Sequence, residues 1–236
     1  MLTTPAPTDG DQLRATDLRT KRDTLAVFVR QRSAQIFGLW AVALVAVRLV
    51  VGGFGHGDVV VLLVTLAIAG VVEWIIHLFL LHAPEDAWTS RVLGTGAGHR
   101  EHHLDPPHLG WLLLGGVDAT VFVNVFALVT AGWVLPAMWL VDGAWLGPFL
   151  TAWALAAAGL THYEWTHLLV HTRYRPRSRY YSRLERNHRL HHFRNERYWL
   201  GVTSNLGDRV LRTYPKRKTD VPLSPTARTL GAEPET

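Results

Sequence analysis

The stretch from residue 59 to residue 82 reads VVVLLVTLAIAGVVEWIIHLFLLH, and it decides the fold class. Nearly all of it is apolar, and a helix needs about 20 apolar residues to cross a hydrocarbon core of ~30 Å. The run therefore predicts a transmembrane helix. His77 and His82 lie at its end, which puts metal-binding chemistry where the helix is expected to leave the membrane.

Three further apolar runs of similar length occur at 37–53, 120–140 and 149–169. Together the four runs predict an all-α membrane protein with four transmembrane helices and a cytosolic helical cap. The alternative is a soluble helical protein with very apolar core helices. Four such runs exceed what a soluble core of this chain length requires, so the membrane reading is preferred.

The arginines and lysines predict how the chain lies in the membrane. Six precede the first run, two lie in the loop between the second and third runs, and fifteen follow the fourth. The two other connections contain none. By the positive-inside rule, both termini and the middle loop face the cytosol, which gathers the clustered histidines at that face.

The composition excludes several classes of function. With no cysteine, the chain has no disulfide, thiolate ligand or catalytic thiol. The net charge of +5 is explained by membrane topology and anionic lipid, so no nucleic-acid partner is expected. Only three of the 24 cations are lysine, a skew typical of GC-rich bacterial genomes, and we expect the inner membrane of a bacterium.

Ten of the 13 histidines fall into four clusters. On a helix, the two HxxHH triads would each present three imidazoles on one face, and the i, i+4 pair would share a face as well. The remaining pair is five residues apart, about 140° around a helix, so its members either serve different ions or straddle a frayed helix end. The clusters are His77 and His82; His99, His102 and His103; His167 and His171; and His188, His191 and His192.

Three segments are expected along the chain. Residues 1–36 form a cytosolic N-terminal segment, in which 11–35 has the spacing of an interfacial amphipathic helix. Residues 37–213 form the transmembrane domain with its metal-binding cap. Residues 214–236 are rich in proline and mixed charge, which predicts a disordered tail. The three histidines outside the clusters are expected to be ordinary residues, with His162 buried.

The histidine motifs resemble those of the fatty acid hydroxylase and sterol desaturase superfamily of membrane di-iron oxygenases. The resemblance extends from Glu73 to Thr213 and is carried by EWIIH…LH at 73–82, HREHHLDPP at 99–107, THLLVH at 166–171 and NHRLHHF at 187–193. The family often has an arginine where this chain has Leu78. The haem domain that precedes the hydroxylase domain in some members is not present in this sequence.

The resemblance implies that the ten clustered histidines hold two iron ions, which activate O₂ and oxidise a C–H bond of a lipid taken from the bilayer. It also implies a separate electron donor, such as a ferredoxin or a cytochrome b5-like protein. Such oxidation is beyond acid–base side chains, so the metal must carry the reaction. Zinc binds the same ligands and would be a substitute in an isolated sample.

Two carboxylates are candidates to support the ligands. Glu73 lies one helical turn before His77, and Glu164 lies three residues before His167. A carboxylate in a membrane helix is costly without a partner, so both are expected to orient imidazole N–H groups.

Several functions remain open at this point. The function we expect is hydroxylation of a fatty acyl or related lipid. Within the enzyme class, the alternative is desaturation or a carotenoid- or sterol-type oxidation by the same metal pair. Outside it, a histidine-rich metal transporter would place ligands near the bilayer midplane. A bis-histidine haem protein would show a Soret band.

Overall fold

A computed structural model of the protein describes residues 13–93, 96–141 and 143–231. This part of the chain is helical and contains no β-strand. The α-helices, numbered in chain order, are α1 Lys21–Phe28, α2 Arg32–Val51, α3 His56–Ile76, α4 Trp88–Leu93, α5 Ala97–Leu104, α6 Leu109–Leu112, α7 Gly116–Leu140, α8 Leu146–His171, α9 Arg179–Phe193 and α10 Leu206–Val210. A π-helical turn, His77–Leu81, continues α3, and short 3₁₀ turns lie at Ala15–Asp17 and Lys218–Asp220.

The chain divides into two compact units. We call residues 29–69 and 114–164 the span unit, and the described residues within 1–28, 70–113 and 165–236 the histidine unit. Helices α3 and α8 each contribute residues to both units.

In the span unit, α2, α7 and α8 pack around a small apolar core. Alanines on α8 contribute much of this core, and small residues let helix backbones approach closely in a membrane. Helix α2 ends where Gly52 and Gly53 adopt φ of +62° and +63°, a left-handed conformation that glycine tolerates best. The buried core residues are Phe37, Leu44, Ala119, Val123, Leu150, Ala154 and Ala157.

Three helical segments are long and apolar enough to cross a membrane: Arg32–Val51, His56–Leu81 and Leu109–Leu140. An outward side chain from each segment fits that role, since Val50 is 87% exposed, Leu63 60% and Leu128 74%. Apolar exposure on this scale suits lipid contact and not water. The fourth run is helical, within α8, and its crossing of the membrane stays a prediction, as do the cytosolic cap and the orientation.

A buried ion pair fixes one end of the span unit. Arg48 Nη2 lies 2.7 Å from Asp58 Oδ1, and Thr151 Oγ1 donates to the same oxygen at 2.6 Å. Arg48 also donates to the Gly52 carbonyl at 2.5 Å and lies over the ring of Phe54. The isolated arginine of the first apolar run is therefore fully partnered, and it ties α2 to α3 and α8.

The N-terminal segment differs from the long amphipathic helix predicted at 11–35. The helix is α1 alone, and a break at 29–31 separates it from α2. Residues before α1 pack against other segments of the histidine unit, where Ala15 N donates to the Pro107 carbonyl at 2.8 Å and Arg173 N donates to the Leu18 carbonyl at 3.0 Å. These bonds to other segments take the place of a continued α-helix. Residues 1–12 lie outside the described part.

Candidate metal centre

Two helices of the histidine unit carry the HxxHH triads. On both α5 and α9 the i, i+3, i+4 spacing turns all three imidazoles to the buried side. Helix α9 begins at a genuine cap, where Tyr181 N donates to the Ser178 hydroxyl at 3.2 Å. Helix α5 follows Gly96, whose φ is +82°, and it ends before Pro106 and Pro107, as the sequence predicts.

A π-helical turn brings the first histidine pair, His77 and His82, together. Within it, His82 N donates to the His77 carbonyl at 3.0 Å, a bond between residues five apart where an α-helix joins residues four apart. The two rings consequently lie on the same side of the helix in an edge-to-face contact, with centroids 4.8 Å apart. Neither sequence-based alternative, different ions or a frayed end, was needed, because a π-turn brings i and i+5 to one face. Such turns are frequent at functional sites.

The structure brings nine of the ten clustered histidines into two adjacent groups. Within each group, the ligand nitrogens all lie within 4.8 Å of one another. The two groups contact each other, since the centroids of His99 and His102 are 5.4 Å apart. The five-histidine group is His102, His167, His171, His188 and His192; the four-histidine group is His77, His82, His99 and His191.

The Nε2 atoms converge as ligands of a metal ion do. Four Nε2–Nε2 pairs are 2.9 to 3.1 Å apart, three of them in the five-histidine group. Two nitrogens about 2.1 Å from one ion and at right angles would be about 3.0 Å apart. His188 Nε2 lies at this distance from both His171 and His192. Hydrogen bonding satisfies such convergence poorly, because each pair can share only one proton.

The electrostatics of the cluster also suit a metal. Burial lowers the pKa of His103 to about 4 and that of His171 to about 3. Burial, reinforced by the neighbouring imidazoles, holds the pKa values of His188 and His192 well below the ordinary value. These rings are neutral at pH 7, which leaves a lone pair for a metal. Imidazole nitrogen suits iron and zinc alike.

Backbone carbonyls orient several of the rings from behind. Nδ1 of His77 lies 2.5 Å from the Leu200 carbonyl oxygen, and Nδ1 of His191 lies 3.0 Å from that of Tyr198. A carbonyl can only accept, so these contacts place the proton on Nδ1 and leave Nε2 free for a metal. Sequence reasoning missed these partners, since a carbonyl is common to every residue.

His103 is the one clustered histidine outside both groups. Its ring centroid is 4.1 Å from that of His192, its Nδ1 lies 2.8 Å from the Ala227 carbonyl oxygen, and its buried Nε2 has no hydrogen-bond partner among the described residues. It therefore lies beside the two groups with a free nitrogen, and its role as a ligand stays a prediction.

The contact with Ala227 involves a segment that the sequence predicts to be disordered. Residues 214–231 pack against the rest of the histidine unit: Ser224 N donates to the Arg194 carbonyl at 2.9 Å, and Thr226 Oγ1 donates to Glu196 at 2.8 Å. Ala227 is 2% exposed. Residues 225–231 form turns, in which Leu230 N donates to the Thr226 carbonyl at 2.8 Å, while the Ala227 carbonyl faces the ring of His103. Residues 232–236 lie outside the described part.

The two candidate carboxylates have other partners in the structure. Glu73 Oε1 accepts from Val202 N at 2.5 Å and from Thr203 N at 2.8 Å, and its second oxygen accepts from the Thr203 hydroxyl at 2.5 Å. These hydrogen bonds connect Glu73 to the loop whose Leu200 carbonyl contacts His77. None of the three goes to an imidazole. Direct orientation of a ring by Glu73 stays a prediction.

Glu164 is buried in the span unit. Its Oε2 accepts from the Ser33 hydroxyl at 2.5 Å and from Leu114 N at 3.2 Å. These bonds join α8 to α2 and to the start of α7, three residues before His167. The predicted contact between Glu164 and an imidazole also stays a prediction.

The histidines outside the clusters remain apart from the two groups. His56 is exposed at the start of α3, and His108 precedes α6 and contacts Trp111. His162 is exposed, whereas the sequence suggested a buried residue. It lies on a helix whose outer face is apolar, so its position in the apolar run did not imply burial.

Comparison with known proteins agrees with this geometry. The family model "Fatty acid hydroxylase" matches residues 62–213, which include all ten clustered histidines. The chain belongs to the fatty acid hydroxylase family. The fatty acid 2-hydroxylase of Macaca fascicularis is 28% identical over 149 residues, which cover 62% of this chain and 37% of that protein. The chain thus spans little more than a third of this relative. No solved structure matches this chain.

Proposed function

We propose that this protein is a membrane-bound di-iron oxygenase that hydroxylates a C–H bond of a fatty acyl chain or a related lipid, using O₂ and electrons from a separate donor. One observation carries the proposal: two adjacent buried groups of five and four histidines converge by their Nε2 atoms. The family membership supports the lipid substrate and the oxidation.

The protein's own residues supply position and environment. The imidazoles of the two groups would hold one ion each, and the carbonyls of Leu200 and Tyr198 keep the ring protons away from the metal. Burial of the rings excludes water and strengthens every contact made there. Bound iron would supply the activation of O₂ that C–H oxidation requires, which zinc with the same ligands would not.

We further propose that the protein lies in the inner membrane of a bacterium, with both termini and the metal centre on the cytosolic side. The distribution of arginine and lysine supports this orientation. In this arrangement, lipid enters from the bilayer and the reductant arrives from the cytosol.

The exposed side of α9 is the proposed docking surface for the electron donor. Four exposed arginines follow one another there at spacings of four, three and three residues, which places them on one face. The histidines of α9 occupy the opposite face, and a helix is roughly 10–12 Å across. An acidic redox protein bound to this face would be steered by charge and held one helix away from the imidazoles. The arginines are Arg179, Arg183, Arg186 and Arg189.

The docking surface is tested by charge reversal. R183E/R186E is expected to slow turnover with an acidic protein donor at least tenfold while leaving reduction by dithionite unchanged. The matched control, K216E/K218E, carries the same charge change on exposed residues outside α9. Equal slowing of both double variants, or no slowing of either, would remove the donor from this face.

The function is tested by lipid mass spectrometry under ¹⁸O₂. Cells producing the intact protein are compared with cells producing His188→Ala, and His56→Ala serves as a control outside the cluster. One ¹⁸O atom incorporated in one lipid class, absent only with His188→Ala, supports hydroxylation. Loss of two hydrogens without label would indicate desaturation instead. Altered cellular metal with no lipid change would favour transport.

A further inference from the structure

The loop between α9 and α10 controls two histidines of one metal group. Residues 198–203, which we call the carbonyl loop, supply the Tyr198 carbonyl to His191 and the Leu200 carbonyl to His77. These two rings come from α9 and from the π-helical turn, so the loop connects ligands that are distant in sequence. Both belong to the four-histidine group.

A buried carboxylate holds the carbonyl loop in place. Asp208 is 0% exposed; its Oδ1 accepts from Leu200 N at 2.9 Å and its Oδ2 accepts from Gly201 N at 2.8 Å. The Thr213 hydroxyl donates to Oδ1 at 2.6 Å. All three donors point at the carboxyl group, and its two oxygens together accept all three hydrogen bonds.

The conformation held in this way is not one the loop would adopt freely. Trp199 has φ of +53°, a left-handed value that a bulky residue rarely takes. Trp199 N donates to the Thr213 carbonyl at 3.0 Å, and Thr213 Oγ1 accepts from Trp74 Nε1 at 2.7 Å. Thr213 therefore braces both the loop and the carboxylate that holds it.

The five-histidine group does not depend on this loop in the same way. The ring of His167 is bonded to the backbone of Leu112, which lies in another segment. The carbonyl loop's two ring contacts go to the four-histidine group alone. A disturbance of the loop should therefore reach one metal group and spare the other.

We propose that Asp208 is a positioning residue that fixes the Nδ1–H form of His77 through the carbonyl loop and so sets the metal affinity of the four-histidine group selectively. It is not a ligand. The inference rests on the metal-binding part of the proposed function. The metal affinities of the two histidine groups then depend on different segments of the protein.

The chemistry explains why even a conservative change would matter. In Asp208→Asn, one carboxylate oxygen becomes an NH₂ group that faces the backbone N–H of Leu200 or Gly201. Two donors then oppose each other, and the loop must shift. Once the Leu200 carbonyl leaves His77, the ring proton can move to Nε2, where it blocks metal binding.

The test measures metal bound per chain for purified protein loaded with Fe(II), and the visible spectrum after loading with Co(II). Asp208→Asn is expected to bind one ion per chain with the affinity of the intact protein and a second at least tenfold more weakly. Asp220→Asn is the matched control, since it makes the same change at an exposed position and should keep two ions.

A second pair keeps the carboxylate and tests the brace. Thr213→Val removes the hydroxyl and should weaken the same single ion, while Thr213→Ser restores the hydroxyl and should recover it. If Asp208→Asn does not fold, the two Thr213 variants still test the role of Asp208. Two tight ions in both Asp208→Asn and Thr213→Val, or equal weakening of both ions, would overturn the role of Asp208. Fewer than two ions in the intact protein would instead overturn the metal centre.

Discussion

Nδ1 of His77 lies 2.5 Å from the carbonyl oxygen of Leu200, which is 123 positions further along the chain. The contact joins the end of α3 to the loop after α9. A histidine at the end of an apolar helix is therefore oriented by a segment that reaches it only when the histidine unit folds. The geometry of the metal centre depends on long-range packing as well as on the helices that carry its ligands.

Removal of His188 should abolish the five-histidine site. Its Nε2 lies 2.9 Å from that of His171 and 3.0 Å from that of His192, so it is central to the convergence. His188→Ala is expected to lower bound iron from two ions to one per chain and to reduce lipid oxidation at least a hundredfold, because both ions are required. Metal analysis and product formation measure this.

His56→Ala is the control for this variant, since His56 is exposed and lies outside both groups. It should retain both ions and full activity. An active His188→Ala protein with two ions would show that the convergence of these rings has another cause.

The close approach of α10 to α3 should make Gly207 intolerant of a side chain. A Cβ there would lie 2.3 Å from the Gly70 carbonyl oxygen and 2.6 Å from Trp74 Cβ. Gly207→Ala is expected to lower the free energy of unfolding by about 1–3 kcal/mol, since the backbone must move. Thermal unfolding in detergent checks this.

Gly98 offers the opposite case within α5. A Cβ there meets nothing within 4 Å, so Gly98→Ala should leave metal content unchanged and raise stability by up to about 1 kcal/mol. Equal stability of Gly207→Ala and Gly98→Ala would show that α10 does not pack this closely against α3.

The C-terminal segment provides a prediction in which sequence and structure disagree. A disordered tail could be removed without effect, whereas the structure uses the Ala227 carbonyl to hold His103. Truncation after Tyr214 is expected to weaken metal binding at least tenfold and to lower activity with it. Truncation after Gly231 keeps every contact described and should be silent. Full metal binding in the protein truncated after Tyr214 would show that residues 215–231 do not support the metal centre.

The Arg48–Asp58 pair should stabilise the span unit. Arg48→Met leaves a buried carboxylate without its cation, which typically costs about 3–5 kcal/mol. Thermal unfolding in detergent should show the loss, and the double variant R48M/D58N should recover part of it, since no lone charge remains. A single variant as stable as the intact protein would mean that the pair is hydrated.

Much of the candidate site is predictable from the sequence because helical periodicity is local. The spacings at His99–His103 and His188–His192 place three rings on a face whatever the rest of the chain does, and apolar runs predict helices for the same reason. The π-turn between His77 and His82 was not predicted, since its extra residue per turn reflects the demands of the assembled site.

The partners of the rings are the other part that the sequence does not reveal. The carbonyls of Leu200 and Ala227 carry no side-chain signal, and their positions follow from tertiary packing alone. Glu73 stood out because it lies on the same helix as His77, yet its bonds go to Val202 and Thr203. Spacing along a helix shows which residues share a face, but not which residues from elsewhere will pack against it.

Anomalous X-ray scattering at the iron edge, from crystals of the iron-loaded protein, tests the central claim most directly. Two separate peaks are predicted, one surrounded by His102, His167, His171, His188 and His192, the other by His77, His82, His99 and His191. A single peak, or iron bound away from these rings, would contradict it.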